Sequence, residues 1–369
     1  MRASLIVISF LIYAASAKAQ LTEAKANDNI LPGAYNIEAY YPLLKDKRFA
    51  LAVNQTSMIS NTHLVDTLLK MDESVIKKVF SPEHGFRGDA DAGEKVKDGI
   101  DVTTNLPVVS LYGSNKKPTA EQLADIDVVV FDVQDVGTRF YTYISTMHYI
   151  MEACAESGKQ VIILDRPNPN GMYVDGPVLE MEFQSFVGMH PIPILHGLTV
   201  GELALMINGE GWLKGGIVCD LKVIPVQRWD HSSNYSLPVK PSPNLPNDLS
   251  IQLYPSLCLF EGTSISVGRG TYKPFQQIGH PSFTSLKENF MPVSLPGMSK
   301  YPKYQDKMCY GKIFNETSDL KGIDLSYLID FYNLFEDKNN FFVPYFNTLA
   351  GNSTLQSQIV AEKTEQEIK

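Results

Sequence analysis

Short apolar runs rich in valine and isoleucine recur along the first half of the chain and restrict its possible folds more than any other feature. They cover residues 49–53, 75–80, 108–112, 128–132 and 161–165. Each run is continuous rather than alternating with polar residues, which is typical of strands buried on both faces of a parallel sheet. Amphipathic segments separate several of them. The pattern predicts a Rossmann-like, doubly wound α/β domain with a mostly parallel sheet.

Helices are predicted at 63–70, 120–125 and 138–157. In the last of these, apolar residues from Phe140 to Cys154 repeat at helical spacing and mark its buried face. A further helix over 200–208 starts with the capping-box pair Thr199 and Glu202. A strand is predicted at 219–225, and the proline-rich stretch 238–248 is interpreted as an ordered loop.

The 369 residues fit two domains of ordinary size. We predict a lead-in segment over 20–47, a Rossmann-like catalytic domain over 48–200, and a second, smaller α/β or α+β domain over 201–369 that completes the cleft.

The N-terminus carries the pattern of a secretory signal peptide. Arg2 precedes an apolar run over 5–15, and Ala17-Lys18-Ala19 forms a small-x-small cleavage site. An uncleaved anchor would need about 20 apolar residues. We therefore expect cleavage after Ala19, no membrane span afterwards, and a periplasmic or secreted protein.

The charge balance argues against polyanionic partners. The formal net charge is -9 at pH 7, so the chain lacks the basic field that nucleic acids or anionic membrane surfaces attract. The sequence predicts no nucleic-acid partner.

Polar motifs follow the predicted strands. SPEHGFRG (81–88) follows the second strand, and the others are NQTS (54–57), LYGSN (111–115), QDVGTRFY (134–141) and DRPNPNG (165–171). Because the carboxyl ends of parallel strands lie along one edge of a sheet, ligands bind there. The motifs are expected to converge on one cleft.

Three kinds of chemistry receive little support from these motifs. The chain has neither G-x-G-x-x-G nor G-x-x-x-x-G-K-[ST], so no nucleotide or other cofactor is predicted. It also lacks the G-x-S-x-G elbow of serine hydrolases. The acidic and histidine residues over 83–94 match no familiar metal motif, although a hard cation stays an open alternative there.

Paired carboxylic acids are the remaining candidates for catalysis. Glycoside hydrolysis needs an acid to protonate the leaving oxygen and usually a second group as base or nucleophile. Glu83, at a strand end, is the candidate acid. Glu94, Asp89 and Asp91 lie on the following glycine-rich loop and are candidates for the second group.

Arginine usage indicates an anionic ligand. Of seven arginines in the chain, Arg87, Arg139 and Arg166 lie within the polar motifs, and Arg269 lies in the further glycine-containing motif GRGT (268–271). The planar guanidinium suits bidentate binding of a carboxylate or phosphate. The alternative for each is a structural pairing with a nearby aspartate.

Several long motifs, taken in order, resemble one bacterial family. They include SPEHGFRGDADAGE, FDVQDVGTRFYTYISTM, LDRPNPNG, SPNLPN and LYPSLCLFEGTSISVGRGTYKPFQQIGHP. The resemblance is to the exo-β-N-acetylmuramidases of the NamZ type and runs from about residue 51 to 281. It implies a two-domain enzyme that releases N-acetylmuramic acid from the non-reducing ends of peptidoglycan fragments during cell-wall turnover and recycling. The lactyl carboxylate of that sugar agrees with the clustered arginines.

The resemblance also implies roles for particular residues. Glu83 falls on the family's catalytic acid, and Glu94 is the second group chosen here, with Tyr141 and the substrate's own N-acetyl group as alternatives. Arg139, Arg166 or Arg269 would bind the lactyl group. Other substrate-binding candidates are Asn54, His84, Arg87, Asp132, Gln134, Asp135, Asn244 and Glu261. Relatives are expected to continue past Lys369 through a tryptophan-containing helix.

Two other functions stay open at this stage. A non-catalytic cell-wall sugar-binding protein would keep the arginines and aromatic residues but would not need Glu83. A metal-dependent hydrolase of another bond would lose its activity on chelation.

Overall fold

The structure is a computed structural model that describes residues 30–71, 75–83, 85–87, 98–316 and 321–369. The predicted signal peptide (1–19) lies outside these ranges, as do His84, Asp89, Asp91 and Glu94.

A seven-stranded sheet organises the larger part of the chain. In chain order its strands are β1 (Arg48–Val53), β2 (Val75–Ser81), β3 (Gly99–Ile100), β4 (Pro107–Ser110), β5 (Val128–Asp132), β6 (Gln160–Leu164) and β7 (Asp220–Ile224). They lie side by side as β3-β4-β2-β1-β5-β6-β7, and only the pairing of β3 with β4 is antiparallel. The six parallel strands thus follow the 3-2-1-4-5-6 order of Rossmann folds, which confirms the predicted fold class.

Helices cover both faces of this sheet and continue into the C-terminal region. Within the described residues they are α1 (Ile37–Leu44), α2 (Leu64–Leu68), α3 (Ala120–Leu123), α4 (Tyr143–Glu156), α5 (Val200–Gly209), α6 (Asp248–Leu257), α7 (Ser326–Leu334), α8 (Tyr345–Ala350), α9 (Thr354–Val360) and α10 (Glu365–Ile368). Helix α5 begins with the predicted capping box of Thr199 and Glu202. Among the described helices none has the length and apolarity that a bilayer span requires.

The sheet separates two hydrophobic cores. Side chains alternate along a strand, so β1 contributes Ala50 and Ala52 to one core and Phe49, Leu51 and Val53 to the other. The first core packs against α4 and α5, and the second packs against α1 and α2. Burial on both faces explains why the strands read as continuous apolar runs.

Helix α4 starts at Tyr143, later than the predicted position 138. The backbone N–H of Arg139 donates to the carbonyl of Ile194 at 2.8 Å, and Thr138 forms a β-bridge with Leu195. These backbone groups are therefore used in pairing with another segment and cannot start a helix. Residues 139–142 form a turn that leads from this bridge into α4.

A smaller antiparallel sheet lies in the C-terminal region. It consists of β8 (Gln277–His280), β9 (Glu288–Phe290) and β10 (Cys309–Ile313), in the order β8-β10-β9. With helices α7 to α10 it forms the second, α+β part of the molecule. Strand β7 of the large sheet lies at residues 220–224, within the range predicted for the second domain (201–369). The first core continues into the C-terminal region through Phe260, Phe275 and Phe346.

Candidate active site

A polar and aromatic cavity of about 210 Å³ lies where the ends of β2 and β4 meet the C-terminal region. Its described lining residues are Glu83, Tyr112, Phe140, Tyr141, Thr142, Tyr143, Phe186, Val187, Ser242, Asn244, Leu245, Tyr254, Cys258, Glu261, Arg269, Phe275, Tyr345 and Leu349. Five residues predicted from the sequence therefore meet in one place: Glu83, Tyr141, Asn244, Glu261 and Arg269.

Glu83 lies in the turn directly after β2 and is only partly buried. The Thr142 hydroxyl, just before α4, donates to Glu83 Oε2 at 3.1 Å. The phenol of Tyr112, which follows β4, also interacts with Glu83, and burial together with that neighbouring charge raises the pKa of Tyr112. Side chains from two other parts of the chain thus hold the carboxyl group at the cavity wall.

Glu261 and Arg269 form a bidentate ion pair on the same cavity wall. Arg269 Nε donates to Glu261 Oε1 at 2.5 Å, and Nη2 donates to Oε2 at 3.0 Å. The guanidinium also lies over the ring of Phe275, with Cζ 5.0 Å from the ring centroid. A guanidinium has five N–H donors, and this pair does not use those on Nη1. Arg269 can therefore bind a second anion without releasing Glu261.

Three tyrosines form another wall. The ring of Tyr141 meets Tyr143 edge-on at 4.9 Å and Tyr254 at 5.9 Å between centroids. Burial raises the pKa of Tyr141 and of Tyr254 well above the ordinary value. The phenols are therefore neutral hydroxyls at physiological pH.

Asn244 reaches the cavity from the proline-rich loop 238–248. Its Nδ2 donates to the carbonyl of Met298 at 2.7 Å, and its backbone N–H donates to Ser242 Oγ at 3.2 Å. The loop is tied to the tyrosine wall because the Tyr143 hydroxyl donates to the carbonyl of Pro241 at 3.0 Å. This loop is ordered, as the sequence indicates, and it forms part of the site.

A second polar cluster lies at the ends of β1 and β5, outside the described lining of the cavity. Arg166 binds Asp132 through Nε–Oδ1 at 2.6 Å and Nη2–Oδ2 at 2.9 Å. The Ser57 hydroxyl donates to the Asp132 carbonyl, and Asn54 Oδ1 accepts from the backbone and hydroxyl of Thr56. Asn54, Asp132 and Arg166 are almost fully buried and are not among the described residues that line the cavity. The side chains of Arg166 and Asp132 bind each other, and Oδ1 of Asn54 binds Thr56.

Gln134 and Asp135 follow β5 and are also buried. Gln134 Nε2 donates to the carbonyls of Asp135 and Pro167, both at 2.8 Å. Asp135 Oδ2 accepts from the N–H of Gly137 at 2.6 Å, whereas Oδ1 has no hydrogen-bond partner among the described residues. Burial raises the pKa of Asp135 to about 7. Neither residue is among the described cavity lining.

Arg139 binds the protein's own backbone. Nη1 donates to the carbonyls of Pro177 and Ile192, and Nη2 donates to those of Leu349 and Ala350, at distances of 2.7 to 3.1 Å. Burial lowers the pKa of Arg139 to about 10, so the group stays a cation. It joins the large sheet's loops to the C-terminal end of α8, where a cation is favoured.

Arg87 belongs to the same motif as Glu83 and lies four residues further along the chain. It forms a bidentate pair with Asp101, at 3.2 Å and 2.9 Å, and lies over the ring of Phe86 at 4.2 Å. It is not among the described lining residues of the cavity. Of the four arginines in the motifs, Arg269 is the one found there.

Some predicted residues lie outside the described ranges, and some lining residues were not predicted. His84 and Glu94 belong to the first group, as do Asp89 and Asp91. Within the described ranges, no cluster of three histidine, cysteine or acidic side chains has the form of a cation site. Sequence reasoning missed Tyr254, Cys258 and Tyr345, because nothing in their spacing relates them to Glu83.

The arrangement suits acid catalysis on an uncharged ring that carries an anionic substituent. Glu83 supplies a carboxyl group, Arg269 supplies a cation, and the aromatic walls supply apolar surface for a sugar ring. The cavity is smaller than the 300–1,000 Å³ of typical ligand pockets, which suits one terminal sugar residue better than a glycan strand.

Comparison with known proteins identifies the family. Residues 49–249 match the family model for exo-β-N-acetylmuramidase NamZ, N-terminal, and residues 252–369 match the corresponding C-terminal model. The peptidoglycan β-N-acetylmuramidase NamZ of Bacillus subtilis (strain 168) is 41% identical over 355 residues, which cover 90% of this chain and 83% of the relative.

Two crystal structures of DUF1343 family proteins from Bacteroides fragilis NCTC 9343 have the same fold. One is 47% identical, with a TM-score of 0.86, and the match covers 92% of this chain and 93% of the other. The second is 30% identical, with a TM-score of 0.79, and the match covers 92% and 94%. The two family models span both halves of the molecule, including all the cavity residues described above. The chain therefore belongs to the NamZ family of exo-β-N-acetylmuramidases.

Proposed function

We propose that this chain hydrolyses the β-glycosidic bond of N-acetylmuramic acid at the non-reducing ends of peptidoglycan fragments, with Glu83 as the general acid. Membership of a glycosidase family supports the reaction class. The observation that carries the assignment is the presence of Glu83 and Arg269 on the wall of one cavity. A carboxyl group and a guanidinium group that line one sugar-sized space support this assignment.

Glu83 donates its proton to the glycosidic oxygen as the bond to the anomeric carbon breaks. The leaving sugar then departs as an alcohol rather than an alkoxide, which is the ordinary role of the acid in glycosidases. The hydroxyl of Thr142 and the phenol of Tyr112 hold the carboxyl group in position.

Arg269 binds the lactyl carboxylate that distinguishes N-acetylmuramic acid from N-acetylglucosamine. Its Nε and Nη2 keep Glu261 in place, and the Nη1 donors face the substrate carboxylate. Arg139 and Arg166 were the other candidates, but their guanidinium groups already bind backbone carbonyls and Asp132, respectively.

The group that acts at the anomeric carbon has three candidates. Glu94 is the first choice, and it lies outside the described residues. Tyr141, on the cavity wall, and the substrate's own N-acetyl group are the alternatives. In each case a water molecule completes the hydrolysis at the anomeric carbon.

The function is tested with two chromogenic substrates. The purified protein is incubated with 4-nitrophenyl N-acetylmuramide and, in parallel, with 4-nitrophenyl N-acetylglucosaminide. Release of nitrophenol from the muramide and much slower release from the glucosaminide is the expected result, because only the muramide carries the lactyl acid. Equal rates would contradict the role of Arg269, and the absence of release from both would contradict the proposed function.

The predicted signal peptide supports a periplasmic or secreted location, where peptidoglycan fragments are found. Expression of the full chain with a C-terminal tag, followed by N-terminal sequencing of the protein from the periplasm or medium, should give a first residue of Gln20. Recovery of the uncleaved chain from the cytoplasm would contradict this location.

A further inference from the structure

Two buried polar atoms on the cavity wall make no hydrogen bond of ordinary geometry with any described residue, although one of them, the Tyr141 hydroxyl, lies close to the hydroxyl of Tyr143. They are Oδ1 of Asn244 and the hydroxyl oxygen of Tyr141. Asn244 is 2% exposed and Tyr141 is 8% exposed. A buried polar atom without a partner costs free energy unless a ligand or water satisfies it. Because both residues line the cavity, a bound substrate can supply the partners.

The orientation of the Asn244 amide is fixed by its neighbours. Nδ2 donates to the carbonyl of Met298 at 2.7 Å, so the NH₂ end faces that carbonyl. The opposite end of the amide is therefore Oδ1, which accepts hydrogen bonds and cannot donate. Asn244 requires a donor on the ligand.

Tyr141 offers the complementary group. Burial raises the pKa of its phenol well above the ordinary value, so the oxygen keeps its proton and can donate to a ligand. It requires an acceptor on the ligand.

The two residues lie on the same wall. Tyr141 packs edge-on against Tyr143, and the Tyr143 hydroxyl binds the carbonyl of Pro241 on the loop that carries Asn244. Phe140 and Leu245 line the cavity beside them and add apolar surface. The wall thus combines an acceptor, a donor and an apolar patch.

We propose that Asn244 and Tyr141 form the subsite for the 2-acetamido group of the sugar. The amide N–H of the substrate donates to Asn244 Oδ1, the Tyr141 hydroxyl donates to the acetamido carbonyl, and the methyl group packs on the apolar side chains. This inference rests on the proposed function and assigns the residues that select N-acetylated muramic acid.

A sugar hydroxyl is the simpler occupant of this wall, but it matches the wall less well. One hydroxyl can donate to Asn244 and accept from Tyr141 at once, but it has no apolar part to cover Phe140 and Leu245. A secondary amide has a donor, an acceptor and a methyl group in one planar unit. The distinction is measurable because the two occupants respond differently to a change at position 2 of the sugar.

The test compares two substrates on one variant. Tyr141→Phe removes the hydroxyl and keeps the ring, and it is assayed on 4-nitrophenyl N-acetylmuramide and on the matching glycoside with a hydroxyl in place of the acetamido group. We expect kcat/KM to fall by about tenfold or more on the N-acetylated substrate and by less than about twofold on the 2-hydroxy substrate. Asn244→Leu should show the same selectivity.

Tyr40→Phe is the matched control, since it removes a buried tyrosine hydroxyl that donates to the backbone carbonyl of Ala34 and is not part of the described cavity lining. It should change the activity on both substrates by one common factor. An equal loss on both substrates in Tyr141→Phe would overturn the inference and would place Tyr141 at the anomeric carbon instead. A parent protein that cleaves neither glycoside would overturn the proposed function and this inference with it.

Discussion

Two of the bidentate arginine–carboxylate pairs in the molecule, Arg166–Asp132 and Arg269–Glu261, differ in what surrounds them. The Arg166–Asp132 pair lies at the ends of β5 and β6, where its side chains are 3% and 0% exposed. The Arg269–Glu261 pair lies on the cavity wall, where its side chains are 26% and 25% exposed. The hydrogen-bond geometry of the two pairs is nearly the same.

The difference shows that the position of a pair, and not its chemistry, separates structural from functional arginines here. In a Rossmann-type sheet the crevice between β1 and β5, where the strand order reverses, is the usual ligand site. In this chain Asn54, Ser57, Asp132 and Arg166 fill that crevice with their own hydrogen bonds. The cavity lies to one side, at the ends of β2 and β4.

The largest expected effect comes from breaking the buried pair. Arg166→Met leaves the Asp132 carboxylate buried without its cation, so we expect the free energy of unfolding to fall by about 3–5 kcal/mol. Denaturant unfolding followed by circular dichroism measures this change. The double variant Asp132→Leu with Arg166→Met is the control and should lose less stability than Arg166→Met alone. A single variant as stable as the parent would contradict the structural role of the pair.

The second effect concerns Asp135, a buried carboxyl group that follows β5. Within the described residues no arginine or lysine forms an ion pair with it. The pKa of Asp135 rises from its ordinary 3.8 to about 7 on folding, because burial disfavours the charged form. Its contribution to stability is therefore fully present below about pH 4 and is lost as the pH rises through about 7. Relative to Asp135→Asn, the parent should lose stability between pH 4 and 8, by at most about 4 kcal/mol.

Unfolding free energies at several pH values measure this difference. His196 Nε2 lies 3.9 Å from Asp135 Oδ2, and burial lowers the pKa of His196 to about 4. Because the two groups are neighbours, the difference between the two stability curves reports Asp135 together with any change that it causes in the titration of His196. A pH-independent difference would mean that Asp135 titrates normally.

A smaller effect is expected from the half-buried Arg269–Glu261 pair, and on activity rather than stability. Arg269→Met removes the charged donors for the lactyl group, so we expect kcat/KM on 4-nitrophenyl N-acetylmuramide to fall by about 10- to 100-fold. The melting temperature should change much less than in Arg166→Met. Arg269→Lys keeps the charge but not the planar guanidinium group, so its kcat/KM should lie between those of the parent and of Arg269→Met. Unchanged activity of the Arg269→Met protein would contradict the proposed binding of the lactyl group by Arg269.

Much of the fold follows from local patterns in the sequence. The continuous valine- and isoleucine-rich runs predict the buried parallel strands, and Thr199 with Glu202 predicts the start of α5. The position of Glu83 at a strand end follows from the same reasoning. These features depend on residues that are close together in the chain, so local sequence patterns are enough to predict them.

The parts of the site that depend on distant contacts could not be predicted in this way. Arg139 looks like a ligand-binding arginine in its motif, yet its acceptors are backbone carbonyls, such as those of Ile192 and Ala350, which any residue type supplies. Tyr254 and Tyr345 enter the cavity from the C-terminal region, and no spacing rule relates them to Glu83. The late start of α4 depends on pairing with residues 194–195 for the same reason.

The central claim is that the cavity, and not the crevice where the strand order reverses, carries the chemistry, and Glu83→Gln tests it most directly. The measurement is kcat on 4-nitrophenyl N-acetylmuramide, together with the melting temperature and the affinity for free N-acetylmuramic acid. We predict that kcat falls at least about 10²-fold, as is typical when a general acid is lost, while folding and binding stay close to those of the parent. Near-normal turnover by the Glu83→Gln protein would contradict the account.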